Sequence, residues 1–177
     1  MLEDTRNLVD NYKGLSEEAI VADLDRTRHT VHVAVENLTR DFNMGTIVRN
    51  ANAFNVAAVH VIGRRQWNKR GAMATDKYLH VYYHASIDEF VKSMDRRPII
   101  AVDNQPGAID LSDAELPRDC VLVFGAEGPG LSPEMITASQ KMVAIEQFGS
   151  TRSVNVGVAS GIMLYEWTRR NVLTHKV

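Results

Sequence analysis

The hydrophobic period of this chain switches repeatedly between two and 3.6 residues, and that alternation limits the possible folds more than any other property of the sequence. Val31, Val33 and Val35 fall on one side of a strand that begins near Thr30. Ile47, Ala51 and Phe54, spaced by four and three, mark a helix, and Ala57 to Ile62 reads as a second strand closed by Gly63. Pro98 to Val102 and Cys120 to Phe124 are short apolar runs of the kind that fill a sheet covered on both faces. Met142 to Ile145 predicts a last strand, and Asn155 to Arg170 a long C-terminal helix. Helix starts are signalled by Ser16 before two glutamates, by a capping box from Ser86 to Glu89, and by Ser132-Pro133-Glu134. Strands alternating with helices predict an α/β domain with a largely parallel sheet flanked by helices. Residues 1–28, acidic and polar with Ile20, Val21 and Leu24 at helical spacing, read as an N-terminal helical extension, which leaves residues 29–177 as the main domain.

Charge is unevenly placed. The formal net charge of −2 excludes a uniformly basic coat for nucleic acid. Segment by segment, however, residues 1–25 carry −5, residues 26–97 carry +6 and residues 98–177 carry −3. Whatever binds a polyanion here should therefore lie in the first half of the chain after residue 25. The basic density peaks at Arg64-Arg65-Gln66-Trp67-Asn68-Lys69-Arg70, where cationic side chains flank an aromatic ring suited to holding phosphates and stacking a base. A solvated charged loop is the plainer alternative. The lone cysteine, Cys120, has no partner, so disulfides and CxxC-type zinc sites are excluded and a cytoplasmic protein is expected. His80 and His84 have no third ligand nearby in sequence and are read as ordinary sheet histidines, so no metal is expected. No run of about 18 apolar residues is present to cross a membrane, and the N-terminus lacks the pattern of a signal peptide.

In open α/β sheets ligands bind at the carboxyl ends of the strands, so the loops there carry most of the chemistry. Three such segments are unusual. Asn43-Met44-Gly45-Thr46-Ile47-Val48-Arg49 opens a helix, with Asn43 placed to cap it and Arg49 in its second turn. Phe124-Gly125-Ala126-Glu127-Gly128-Pro129-Gly130-Leu131-Ser132 has the glycines a close ligand loop needs, yet fits neither the dinucleotide nor the P-loop pattern. Glu127 reads equally well as a ligand-facing carboxylate or a solvated acid. Ile145 to Ala159 leads small polar residues into an apolar helix, with Ser153 its expected cap.

Taken together, in this order and at these intervals, Asn-x-Gly-x-x-x-Arg, Phe-Gly-x-Glu-x-x-Gly-Leu-Ser and Ser-Val-Asn-Val ahead of a helix resemble the three motifs of the SpoU (TrmH-like) family of RNA ribose 2′-O-methyltransferases, in the SPOUT superfamily. The resemblance spans about residues 30–170. It implies a C-terminal deep trefoil knot, an exception to the unknotted-chain rule. It implies S-adenosylmethionine held by backbone groups at Gly125, Ile145 and Val154, with the loop after Val102 a further contributor. The motif-one arginine, Arg49, would act on the ribose 2′-hydroxyl, with Asn43, Glu127, Ser153 and Asn155 completing the polar site. The RNA would be tRNA or rRNA, tRNA being favoured, with Arg64, Arg65, Trp67, Lys69 and Arg70 binding it, and the enzyme would be a homodimer. The chain departs from the family at two places: Asp41-Phe42 and Glu146 stand where prolines are usual, which changes loop stiffness more than chemistry. Two other readings are a catalytically silent RNA-binding module, which would be expected to have lost Arg49 or Asn155, and a flavodoxin-like nucleotide-binding domain.

Overall fold

The computed structural model describes residues 7–37, 43–125 and 129–174. Helix α1 (Glu17–Asp25) begins where the sequence places it, with the Ser16 hydroxyl accepting from the amide of Ala19. Strand β1 (His32–Asn37) leads to α2 (Met44–Ala53), followed by β2 (Ala58–Gly63) and β3 (Val81–His84). Helix α3 (Ile87–Met94), β4 (Ile99–Val102) and a two-residue strand β5 (Ile109–Asp110) come next. The chain then forms β6 (Val121–Phe124), α4 (Pro133–Ala138), β7 (Lys141–Ala144) and α5 (Val156–Thr168), which ends in a π turn over Arg169–Leu173. All pairings in the seven-stranded sheet are parallel, in the order β3-β2-β1-β6-β4-β7-β5. The late strands enter between early ones: β6 separates β1 from β4, and β7 separates β4 from β5.

Both faces are covered. Val33 and Val35 of β1 pack with Met44, Ile47 and Val48 of α2 and with Met163, Leu164 and Trp167 of α5. On the opposite face Ala34, Val121 and Val123 meet Phe90 and Met94 of α3 and Met135 of α4. Period-two alternation thus sorts each strand between two helical layers. Local expectations shift in detail. The last strand is Lys141–Ala144, so Ile145 lies in the loop beyond it, and β5 has too few residues to show a period. The capping box at Ser86 is displaced by one residue: Ser86 accepts from the Glu89 amide, but the Glu89 carboxylate accepts from the amide of Ala85.

On the α3 face, three imidazoles form a hydrogen-bonded ladder across β1, β2 and β3. His32 Nδ1 lies 2.8 Å from His60 Nε2, and His60 Nδ1 lies 2.9 Å from His84 Nε2. The rings stack, and Phe90 meets those of His60 and His84 edge-on. Burial holds the His32 ring down at about 4 and the His60 ring at about 3, and lowers His84 as well. These rings are neutral in the fold and, once unfolded, bind protons below about 6.5. The stability they give is complete above that pH and is lost as pH falls toward 4 and 3, at up to about 1.4 kcal/mol per pH unit for each ring. Melting curves from pH 7.5 to 4.5 are expected to show a steep fall, made shallower by His60→Gln; equal slopes would exclude the ladder as its source. Burial also pushes the Cys120 thiol up to about 12, which leaves it unreactive.

Candidate active site

At the carboxyl edge of the sheet a cavity of about 460 Å³ opens between the ends of β4, β6 and β7 and the start of α5. Its walls include Val102, Gly125, Ile145 and Val154, the four positions expected to hold a cofactor, together with Ser153 and Asn155. The volume lies in the range of small-molecule sites, which runs from about 300 to 1,000 Å³. Gly125 is required sterically, because a Cβ there would overlap the Gly130 carbonyl carbon and stand 2.5 Å from the Leu131 nitrogen. The loop after β6 therefore closes on its own backbone. Gln147 Oε1, on a residue lining the cavity, is buried with no hydrogen-bond partner among the described residues.

The return limb of that loop is held from both flanking strands by carboxylates. Asp103, directly after β4, accepts from the Leu131 amide at 2.8 Å through Oδ2, which also takes Gln105 Nε2, while its Oδ1 takes the Asn104 amide. From β1, Glu36 accepts from the Ser132 amide at 2.8 Å. Glu36 is only 1% exposed, and its second oxygen has no partner among the described residues. Asn104 then reaches across the cavity to the Arg152 carbonyl at 2.8 Å, tying the loop after β4 to the one before α5. Glu36 lies outside every segment the sequence singles out, and Asp103 and Asn104 are reached only as part of the loop after Val102; an acid or amide at a strand's carboxyl end is the signal that points to all three.

Helices α2 and α5 lie side by side with their N-termini together. A Cβ on Gly157 would meet Thr46 Cγ2 at 2.8 Å, and Asn50 Nδ2 donates to the Gly157 carbonyl and to Ser160 Oγ. Asn155, not the expected Ser153, caps α5: its Oδ1 accepts from the amides of Gly157 and Val158. Its Nδ2 donates to Asn43 Oδ1 at 2.9 Å. Asn43 forms no side-chain cap on α2; its carboxamide is turned to this bond across 112 residues of sequence. The positive ends of two helix dipoles thus meet beside the cavity, an arrangement favourable to an anion. Arg49 is exposed on the second turn of α2, away from the cavity lining, and its Nη2 donates to Asn7 Oδ1 at 3.3 Å. Glu127 lies outside the described residues.

The basic segment is anchored to this edge. Asn37 Nδ2 donates to the carbonyls of Arg64 and Gln66, and Gly71 presses on Gly45, where a Cβ would come within 2.7 Å of Ala72 N. Arg64, Arg65 and Arg70 are exposed, with the Arg65 guanidinium 4.8 Å from the Tyr83 ring centroid. Lys69 is paired with Asp76 at 2.7 Å and lies over Trp67, whose ring packs against the main core. The arginines face solvent while Trp67 is half-buried. Among the described residues, no three or more His, Cys, Asp or Glu are grouped to hold a metal, and no helix is long and apolar enough to cross a membrane.

The model of the SpoU rRNA Methylase family matches residues 30–165. The chain is 26% identical over 152 residues to the tRNA (guanosine(18)-2′-O)-methyltransferase of Escherichia coli K12, covering 83% of this chain and 66% of that protein. Among solved structures, a TrmH/SpoU tRNA modifying enzyme of A. aeolicus superposes with a TM-score of 0.77 at 22% identity, over 89% of this chain and 83% of its own. The SpoU methyltransferase AviRb of Streptomyces viridochromogenes, in complex with AdoMet, superposes with a TM-score of 0.74 at 23% identity, over 85% of this chain and 64% of its own.

Proposed function

The chain belongs to the SpoU rRNA Methylase family, and from that membership we propose that it transfers a methyl group from S-adenosylmethionine to a ribose 2′-hydroxyl of RNA. The observation that carries the reading is the convergence at one edge of segments far apart in sequence: Asn43 bonded to Asn155, beside a cavity walled by Gly125, Ile145 and Val154. The bound cofactor supplies an electrophilic methyl on a positively charged sulfur. The chain's own groups orient and stabilise. Backbone at Gly125, Ile145 and Val154, with the buried Gln147 acceptor, holds the cofactor, and Val102 closes the wall beside it. Asn43, Asn155 and Ser153 place the ribose, and Glu127 completes the polar site. Arg49 stabilises the oxygen as it loses its proton and grips the neighbouring phosphate. The retention of Arg49 and Asn155 disfavours the catalytically silent alternative.

tRNA is the favoured substrate over rRNA, in keeping with the E. coli relative's named activity. Comparing 2′-O-methylated sites in total RNA with and without the protein tests the reading: a site that appears only with the active protein is expected, and no change at any position would refute it. The exposed arginines at 64, 65 and 70 carry RNA binding, with Lys69 and Trp67 shaping their platform. Arg65→Glu together with Arg70→Glu is expected to weaken binding and to reduce the salt slope by about one for each phosphate no longer neutralised, read by filter binding at several salt concentrations. Unchanged affinity and slope would remove this segment from the interface.

A homodimer through α5 accounts for the apolar face that helix leaves open, with Val158 54% and Tyr165 56% exposed and Ile162 between them. A trefoil knot accounts for the late entry of β6 and β7 and for the 111–117 segment clasping α5. There Trp167, Asn171 and Arg170 donate to the carbonyls of Pro117, Leu116, Ala114 and Leu111. The unpaired buried thiol of Cys120 fits a reducing cytoplasmic setting.

A further inference from the structure

Asp103 is the only charged residue among those described that line the cavity; the other walls are apolar, glycine or neutral amide and hydroxyl. Its position is fixed by three donors, from Leu131, Gln105 and Asn104, so the negative charge cannot swing away from the cavity. An exposed surface carboxylate would contribute little, but one held still at the wall of a partly enclosed site acts at short range and in reduced dielectric. We propose that Asp103 is the counter-charge for the sulfonium of the methyl donor, so that the cavity holds the cationic donor in preference to the neutral thioether left after transfer. The inference rests on the proposed use of S-adenosylmethionine. It adds a specificity-determining residue that helps the enzyme release product, because the favourable interaction ends when the sulfur loses its charge.

Asp103 also clamps the loop, so charge and clamp must be separated. Asp103→Asn keeps the shape and an acceptor oxygen but removes the charge. Glu36→Gln perturbs the same limb from the other side, through Ser132, and leaves the charge of the cavity wall intact. Calorimetric titration of the wild type and both variants with S-adenosylmethionine and with S-adenosylhomocysteine reads the two effects. Asp103→Asn is expected to lower the ratio of donor to product affinity by about tenfold. Glu36→Gln is expected to change both affinities alike and leave the ratio unaltered. Equal weakening of both ligands by Asp103→Asn, or no change, would overturn the counter-charge role. Failure of the wild type to bind either ligand would instead refute the cofactor reading itself.

Discussion

Arg49→Ala is expected to lower the methyl-transfer rate by about a thousandfold while leaving S-adenosylmethionine affinity nearly intact, since removing one group that stabilises developing charge costs about 10²–10³ in rate. The separation follows from the geometry. Arg49 stands on the second turn of α2 and takes no part in the cavity wall, whereas that helix's first residues are locked to α5 through Asn43 and Asn155. A guanidinium is not deprotonated in proteins, which makes it a poor base and a good electrostatic partner. Arg49→Lys should accordingly retain measurable turnover, because the charge survives although the two-pronged geometry does not. Single-turnover rates and calorimetric affinities for the three proteins check this. Full turnover by the alanine variant would remove Arg49 from the chemistry.

Gly125→Ala should have the largest effect on cofactor affinity. The added methyl would have to occupy space held by Gly130 and Leu131 main chain, 2.5 Å away or less, and backbone cannot rotate aside as a flexible side chain does. Overpacking of this kind costs about 1–3 kcal/mol, so affinity should fall roughly ten- to a hundredfold, with a lower melting temperature. Gly149→Ala, where nothing stands within 4 Å of the added methyl, is the matched control and should bind normally. A Gly125→Ala protein that binds as tightly as the wild type would show that the loop does not shape the pocket.

Much of the architecture can be read from short stretches of sequence. Ser16, Ser86 and Ser132 each announce a helix and cap one, and the valines of β1 sort themselves by alternation. What such stretches do not contain is register between strands. His32, His60 and His84 are each unremarkable in sequence; parallel pairing places His60 beside the other two only because His32 aligns with Ala58 and His84 with Ile62. The same limit hides what Asp103 touches. Its neighbour Leu131 is 28 residues away and is brought close because β6 lies against β4. Ser153 is the natural choice as helix cap by residue type, yet Asn155 fills that role because its amide can serve Asn43 as well. The Arg64–Arg70 segment shows its charge in the sequence but not its fixture on Asn37, which depends on β1 and β2 ending together.

The late arrival of β6 in the sheet bears on how the protein is made. When the first hundred residues have left the ribosome, β1, β2 and β3 can pair, but β1 presents an open edge and β4 has nothing beside it on which to dock. The sheet's middle is supplied only after residue 120, and the last wall of the cavity only after residue 156. A nascent chain of this kind must keep an unpaired hydrophobic strand from neighbouring chains throughout much of its synthesis. Truncation before β6 therefore removes the centre of the molecule, and shortened proteins should be sticky and short-lived in the cell.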